Sequence, residues 1–151
     1  MSFLKKFKRF IGKRTEIKND KNKKRKVKYY ISREVLETAI AASRDSHPNE
    51  FIAMLGGKIV KDKVQINELI FLPSLSGGVS AVIFTDMLPL GIKVLGSIHS
   101  HPTPNFYPST QDLETFSKKG LVHIIIAYPY NESSWRAYNR RGEPINLIVI
   151  P

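Results

Sequence analysis

The chain has 151 residues, 42% hydrophobic and 25% charged, with no cysteine and a formal net charge of +11. That length suits one domain with a real core, and the missing cysteine excludes disulfide scaffolds, thiol nucleophiles, iron–sulfur clusters and cysteine-ligated zinc. The longest run free of charged residues and histidine, Leu69 to Thr85, contains Pro73 and Gly77-Gly78, so no membrane span is expected, and the N-terminus lacks the apolar core of a secretory signal.

The charge belongs to one end. Residues 1–28 hold thirteen Lys/Arg against Glu16 and Asp20, which accounts for the whole +11, while the remaining 123 residues carry eleven basic and eleven acidic side chains. Within this tail Phe3, Leu4, Phe7, Phe10 and Ile11 recur at helical spacing among Lys5, Lys6, Lys8 and Arg9, a basic amphipathic pattern. Residues 12–28 carry almost no large apolar side chains and read as a solvated linker. Such a tail suits an anionic membrane surface first, with nucleic acid or an acidic protein as the competitor. A solvated extension with no partner is the bland alternative. The expected location is cytoplasmic, peripheral at the membrane through residues 1–28.

From Tyr29 the composition becomes globular, so residues 29–151 form the expected folded domain. Ser32 can cap a helix whose Val35, Leu36, Ala39 and Ile40 form one apolar face. Strands are expected over 50–60, 63–71, 79–84 and 94–100, with a turn at 89–91. Residues 109–119 read as a helix stopped by Gly120. Apolar runs at 121–128, 134–139 and 145–150 complete the pattern. Strands outnumber helices and do not alternate strictly with them. The expected class is α/β, a curved mixed β-sheet flanked by a helix on each side.

The chemistry concentrates between Gly96 and Asp112. His99 and His101 stand two apart at a strand end, so period-two alternation turns both imidazoles to one face. Pro102 and Pro104 then stiffen the loop. Asp112 lies in the first turn of the next helix, where its carboxylate can return toward the strand end as a third ligand. Two His and one Asp leave a tetrahedral position for water, as catalytic zinc requires. Two plainer readings compete. Ser109-x-x-Asp112 also has the shape of a helix capping box, and Ser109, His101 and Asp112 could be written as a triad, although no G-x-S-x-G elbow accompanies them. His47 reads as a turn residue, and His123, inside an apolar strand, reads as a hydrogen-bonded core histidine.

The run His99-Ser-His101-Pro102, six residues, Ser109, two residues, Asp112 resembles the HxHPx6SxxD motif of the JAMM (MPN+) zinc metalloproteases. The resemblance extends over about residues 30–150 and favours the short prokaryotic members. It implies the MPN, cytidine deaminase-like fold and one Zn2+ on His99, His101 and Asp112. It also implies that Glu50, in His-Pro-Asn-Glu-Phe-Ile-Ala-Met-Leu-Gly-Gly, matches the family's early-strand glutamate. In that setting Glu50 would shuttle the proton between water and the leaving amine, and Ser109 would donate to the oxyanion. Glu68 and Asp86 are weaker rivals for the base. The implied substrates are isopeptide or linear bonds after the C-terminal Gly-Gly of ubiquitin-like modifier conjugates. A non-catalytic binding module targeted by its tail is the first alternative. A zinc deaminase-like hydrolase is the second, and it lacks the His-x-Glu and cysteine ligands such a site needs.

Overall fold

A computed structural model describes residues 25–71, 93–118 and 120–151. The chain enters the sheet through β1 (Lys28–Ser32), where Ile31 is fully buried. The sequence reading places no strand here, because KYYIS is short and directly follows a lysine run. Ser32 then caps α1 (Arg33–Ser46), its hydroxyl accepting from the Val35 N–H at 3.3 Å. The spacing of Val35, Leu36, Ala39 and Ile40 buries one stripe of that helix, as the periodicity predicts.

β2 (Ile52–Val60) and β3 (Lys63–Phe71) form an antiparallel hairpin. β4 (Lys93–His101), α2 (Thr110–Lys118) and β5 (Val122–Ala127) follow as a parallel crossover. Gly120 ends the crossover helix in the left-handed region, with φ +107, and a Cβ there would lie 2.7 Å from the Gly96 Cα. Only glycine satisfies both constraints. β6 (Trp135–Tyr138), β7 (Pro144–Ile145) and β8 (Leu147–Ile150) complete the described chain.

The strands form one mixed sheet in the order β7-β6-β5-β4-β2-β3-β1-β8. The stretch expected as a single strand over 145–150 is divided at Asn146. β7 pairs with β6 at one edge, and β8 pairs in parallel with β1 at the other. Eight flat strands would hold those edges roughly 34 Å apart, yet Ile145 and Leu147, two residues apart, can be separated by at most ~7 Å. The sheet is therefore rolled until its edges meet.

α1 packs on one face, against Ala53, Leu55, Ile98, Ile124 and Ile126. On the other face Phe116 of α2 joins Ile125 and Tyr138 in a smaller cluster. The expected α/β class, with a curved mixed sheet and a helix on each side, is what the structure shows. The strand expected at 79–84, the turn at 89–91 and the amphipathic stretch at 3–11 lie outside the described residues. No described helix is long and apolar enough to cross a membrane.

Candidate metal centre

β4 carries Ser97, His99 and His101 on the face covered by α2. Ser97 reaches across to β5 and bonds the His123 Nδ1 at 2.8 Å. His123 is fully buried and stacks on Phe116 with ring centroids 4.3 Å apart and planes within 8°. Phe116 in turn lies against the His99 ring, at 6.4 Å between centroids. His123 is thus a core residue, and it backs the wall behind His99.

At the end of β4 three side chains converge. The His99 Nε2 lies 3.1 Å from the His101 Nε2, and the Asp112 carboxylate stands 3.2 Å from the first and 3.3 Å from the second. The His101 Nδ1 is 2.7 Å from the Asn105 carbonyl, which can only accept, so the proton sits on Nδ1 and the Nε2 lone pair faces inward. A bare imidazole nitrogen, a second imidazole and a carboxylate are thereby aimed at one point. Ligands 2.0–2.1 Å from a tetrahedral zinc stand about 3.3 Å from one another. The three observed separations match that spacing. Among the described residues these three form the group able to hold a metal ion.

The Asp112 carboxyl is held well below the ordinary carboxylate range. Partial burial pushes it upward, but the His99 hydrogen bond, the Ser109 backbone N–H and the charge of His99 outweigh that. The Ser109 N–H donates to the Asp112 Oδ2 at 2.8 Å, and the Asp112 N–H donates to the Ser109 Oγ at 3.1 Å. That is a capping box. It coexists with the ligand geometry, because the carboxylate has two oxygens and four lone pairs. Ser109 bonds Asp112 and not His101, so these residues form no nucleophilic triad.

The loop between β4 and α2 is tied down. Asn105 Oδ1 accepts from the Tyr107 N–H, and the buried Tyr138 hydroxyl donates to the Phe106 carbonyl at 2.6 Å. Burial pushes the Tyr138 phenol above its usual range, which keeps it a donor. The Arg136 guanidinium stands over the Phe106 ring at 4.4 Å. These contacts place the Asn105 carbonyl against His101. Sequence pattern does not reveal the last two, since Tyr138 and Arg136 lie about thirty residues from Phe106.

Glu50 precedes β2. Ile52 pairs with His99, and the Ser100 N–H donates to the Phe51 carbonyl. Continued past the start of β2, the same register sets Glu50 level with His101, and its side chain is exposed. Glu68 is level with Val94, five residues along β4 from His99, and so stands far from the group. Asp86 lies outside the described residues. His47 ends α1, with its Nδ1 2.7 Å from the Tyr130 hydroxyl, on the opposite face.

The family model described as prokaryotic homologs of the JAB domain matches residues 32–139. The chain belongs to that family. Glu50, His99, His101, Ser109 and Asp112 all fall in the matched span. A probable metalloprotease of Haloferax volcanii is 35% identical to this JAB-family chain over 127 residues, 80% of this chain and 78% of the relative. A JAB1/MPN domain protein from Archaeoglobus fulgidus is 43% identical, with a TM-score of 0.66, covering 81% of this chain and 99% of that one. A JAMM protein described as a metalloprotease-like zinc site in the proteasome and signalosome is 39% identical. Its TM-score is 0.63, with coverage of 83% and 100%. A Desulfitobacterium hafniense protein at 22% identity and TM-score 0.61 shares the fold.

Proposed function

We propose that this JAB-family chain is a zinc metallopeptidase that hydrolyses amide bonds, isopeptide or linear, after the C-terminal Gly-Gly of ubiquitin-like modifier proteins. The observation that carries the hydrolytic part is the His99–His101–Asp112 triangle at zinc spacing. The probable metalloprotease of Haloferax volcanii and the metalloprotease-like zinc site of the JAMM structure support it. One zinc held there would supply Lewis acidity to the attacking water and the scissile carbonyl.

Glu50 takes a proton from the attacking water and returns it to the leaving amine. The Ser109 hydroxyl donates to the carbonyl oxygen as that oxygen gains charge. The Asn105 carbonyl keeps His101 in the tautomer that presents a lone pair. The modifier specificity rests on family resemblance, and the basic residues 1–28 are proposed to hold the enzyme peripherally on an anionic surface in the cytoplasm.

The test is a fusion protein ending in a ubiquitin-like Gly-Gly tail. The zinc-loaded chain should cut it at that glycine, and Glu50→Gln should keep the metal while turnover falls about 10²–10⁴-fold. Turnover untouched by a chelator would refute the metallopeptidase reading. Equal cleavage of unrelated unfolded chains would refute the specificity.

A further inference from the structure

The folded body is neutral overall, but the fold sorts its charges. The β2–β3 hairpin carries Lys58, Lys61 and Lys63, all exposed. Lys28, the first residue of β1, sits in register with Lys63. A like-charged pair on neighbouring strands is unfavourable by itself, and neither lysine has a carboxylate partner among the described residues. Lys61 occupies the left-handed region at φ 55, a position where turns favour glycine or asparagine. The turn between β6 and β7 adds Arg140 and Arg141.

The registers put these segments at one end of the rolled sheet. Val60 pairs with Lys63 at the hairpin tip, and Tyr138, just before the β6–β7 turn, pairs with His123 near the start of β5. His101 ends β4 at the opposite end, eight residue steps from Lys93 and so roughly 26 Å away. Glu50, Asp112, Asp45 and Glu132 lie toward that opposite end. The acids toward the basic end, among the described residues, are Asp62, Glu68 and Glu143, against Lys28, Lys58, Lys61, Lys63, Arg140 and Arg141. The molecule therefore has a basic pole and a metal-bearing pole.

We infer that the basic pole is a docking face for an anionic lipid surface, which presents the metal-bearing pole away from the membrane. The inference extends the tail reading given above to the folded body. The chain enters β1 at this same pole through the exposed Arg25 and Lys26, and the preceding sequence supplies Phe3, Leu4, Phe7, Phe10 and Ile11 as an apolar complement to that charge. Lipid is favoured over single-stranded nucleic acid because stacking platforms need exposed aromatic rings. Among the described residues the exposed aromatics, Phe71, Tyr107 and Tyr128, all belong to the opposite pole, and the exposed apolar residue at the hairpin tip is the aliphatic Val60.

The experiment uses the full chain and phosphatidylcholine vesicles with and without phosphatidylserine, at low salt. A basic residue near an anionic surface is worth roughly fivefold in affinity. The triple variant Lys58→Glu, Lys61→Glu, Lys63→Glu should therefore lose at least about tenfold in partition onto serine-lipid vesicles, and Arg33→Glu at the other pole should stay within about twofold. Lys63→Glu turns a like-charged pair into an opposite one, so the triple variant should fold, as far-UV circular dichroism will check. Trp135, the only tryptophan, begins β6 at the metal-bearing pole, so brominated lipids should leave its fluorescence unquenched in the bound state. Equal binding by the triple variant would overturn the role of the pole, and quenching of Trp135 would overturn the orientation. Tighter binding to nucleic acid at matched salt would overturn the choice of lipid, and no wild-type binding to anionic vesicles would overturn pole and tail together. None of these outcomes requires turnover, so failure of the peptidase reading leaves them distinct.

Discussion

Removing the Ser109 hydroxyl separates two tasks that one oxygen performs. That oxygen accepts from the Asp112 N–H at 3.1 Å and closes the start of α2. Accepting uses a lone pair, so the hydroxyl proton stays available to the reacting carbonyl. Ser109→Ala removes both functions, and the lost cap should cost about 1 kcal/mol. For a folded body of this size that is a fall of roughly 3–5 °C in the melting temperature. Ser109→Gly also removes the hydroxyl, but glycine at a cap position costs only a few tenths of a kcal/mol. Both variants keep the backbone N–H that bonds the Asp112 carboxylate at 2.8 Å, so both should keep their zinc. Turnover should fall about 10²–10³-fold in each, with KM little changed, because the donor acts mainly in the transition state. Melting of metal-stripped protein gives the first quantity, free of metal linkage, and kcat on a Gly-Gly fusion gives the second. If Ser109→Gly recovers turnover along with stability, Ser109 acts only by holding the helix start. If the two variants melt alike, the hydroxyl is not the cap.

Four further outcomes follow from the geometry. His101→Ala should abolish stoichiometric zinc in elemental analysis while the stripped fold persists, and full zinc occupancy would overturn the ligand assignment. Gly96→Ala drives a Cβ to 1.6 Å from the Val122 carbonyl oxygen on the neighbouring strand, so denaturant titration should show a loss of at least about 3 kcal/mol. Gly56→Ala meets only side chains, the Ile70 Cδ1 at 3.1 Å being nearest, and should cost less than about 1 kcal/mol. Phe116→Ala should lower stability by about 3–5 kcal/mol and, by freeing the His99 ring, broaden the d–d spectrum of the cobalt-substituted protein. An unchanged spectrum would mean that Phe116 fills the core without orienting His99.

The metal triangle is legible in the sequence because local rules fix it. Period two sets His99 and His101 on one face, and a helix first turn brings Asp112 back within fourteen positions. Glu50 is legible only through the resemblance, since antiparallel pairing alone carries it across to His101. The same non-locality hides β1. Its partners, β3 and β8, begin at Lys63 and Leu147, and nothing in KYYIS announces them. The run 145–150 carries a continuous apolar pattern, yet the roll of the sheet assigns its two halves to opposite edges. Local pattern thus gives the site and most elements, whereas closure of the sheet depends on pairings that no window of sequence contains.

That closure sets an order in time. β1 is the first described strand to be synthesised and β8 the last, so one flank of β1 has no permanent neighbour until Leu147–Ile150 arrive. At ~5–20 residues per second the ribosome needs several seconds to move from Asp112 to Leu147. Throughout that interval His99, His101 and Asp112 already exist on a nascent chain whose ring is open. The break at Asn146 then turns the chain from β7 to β8, whose pairing with β1 closes the sheet like the clasp of a bracelet. Ligand chemistry is thus complete in the chain before the scaffold that holds it can shut, and the open flank of β1 is where unfinished chains are most exposed to wrong partners.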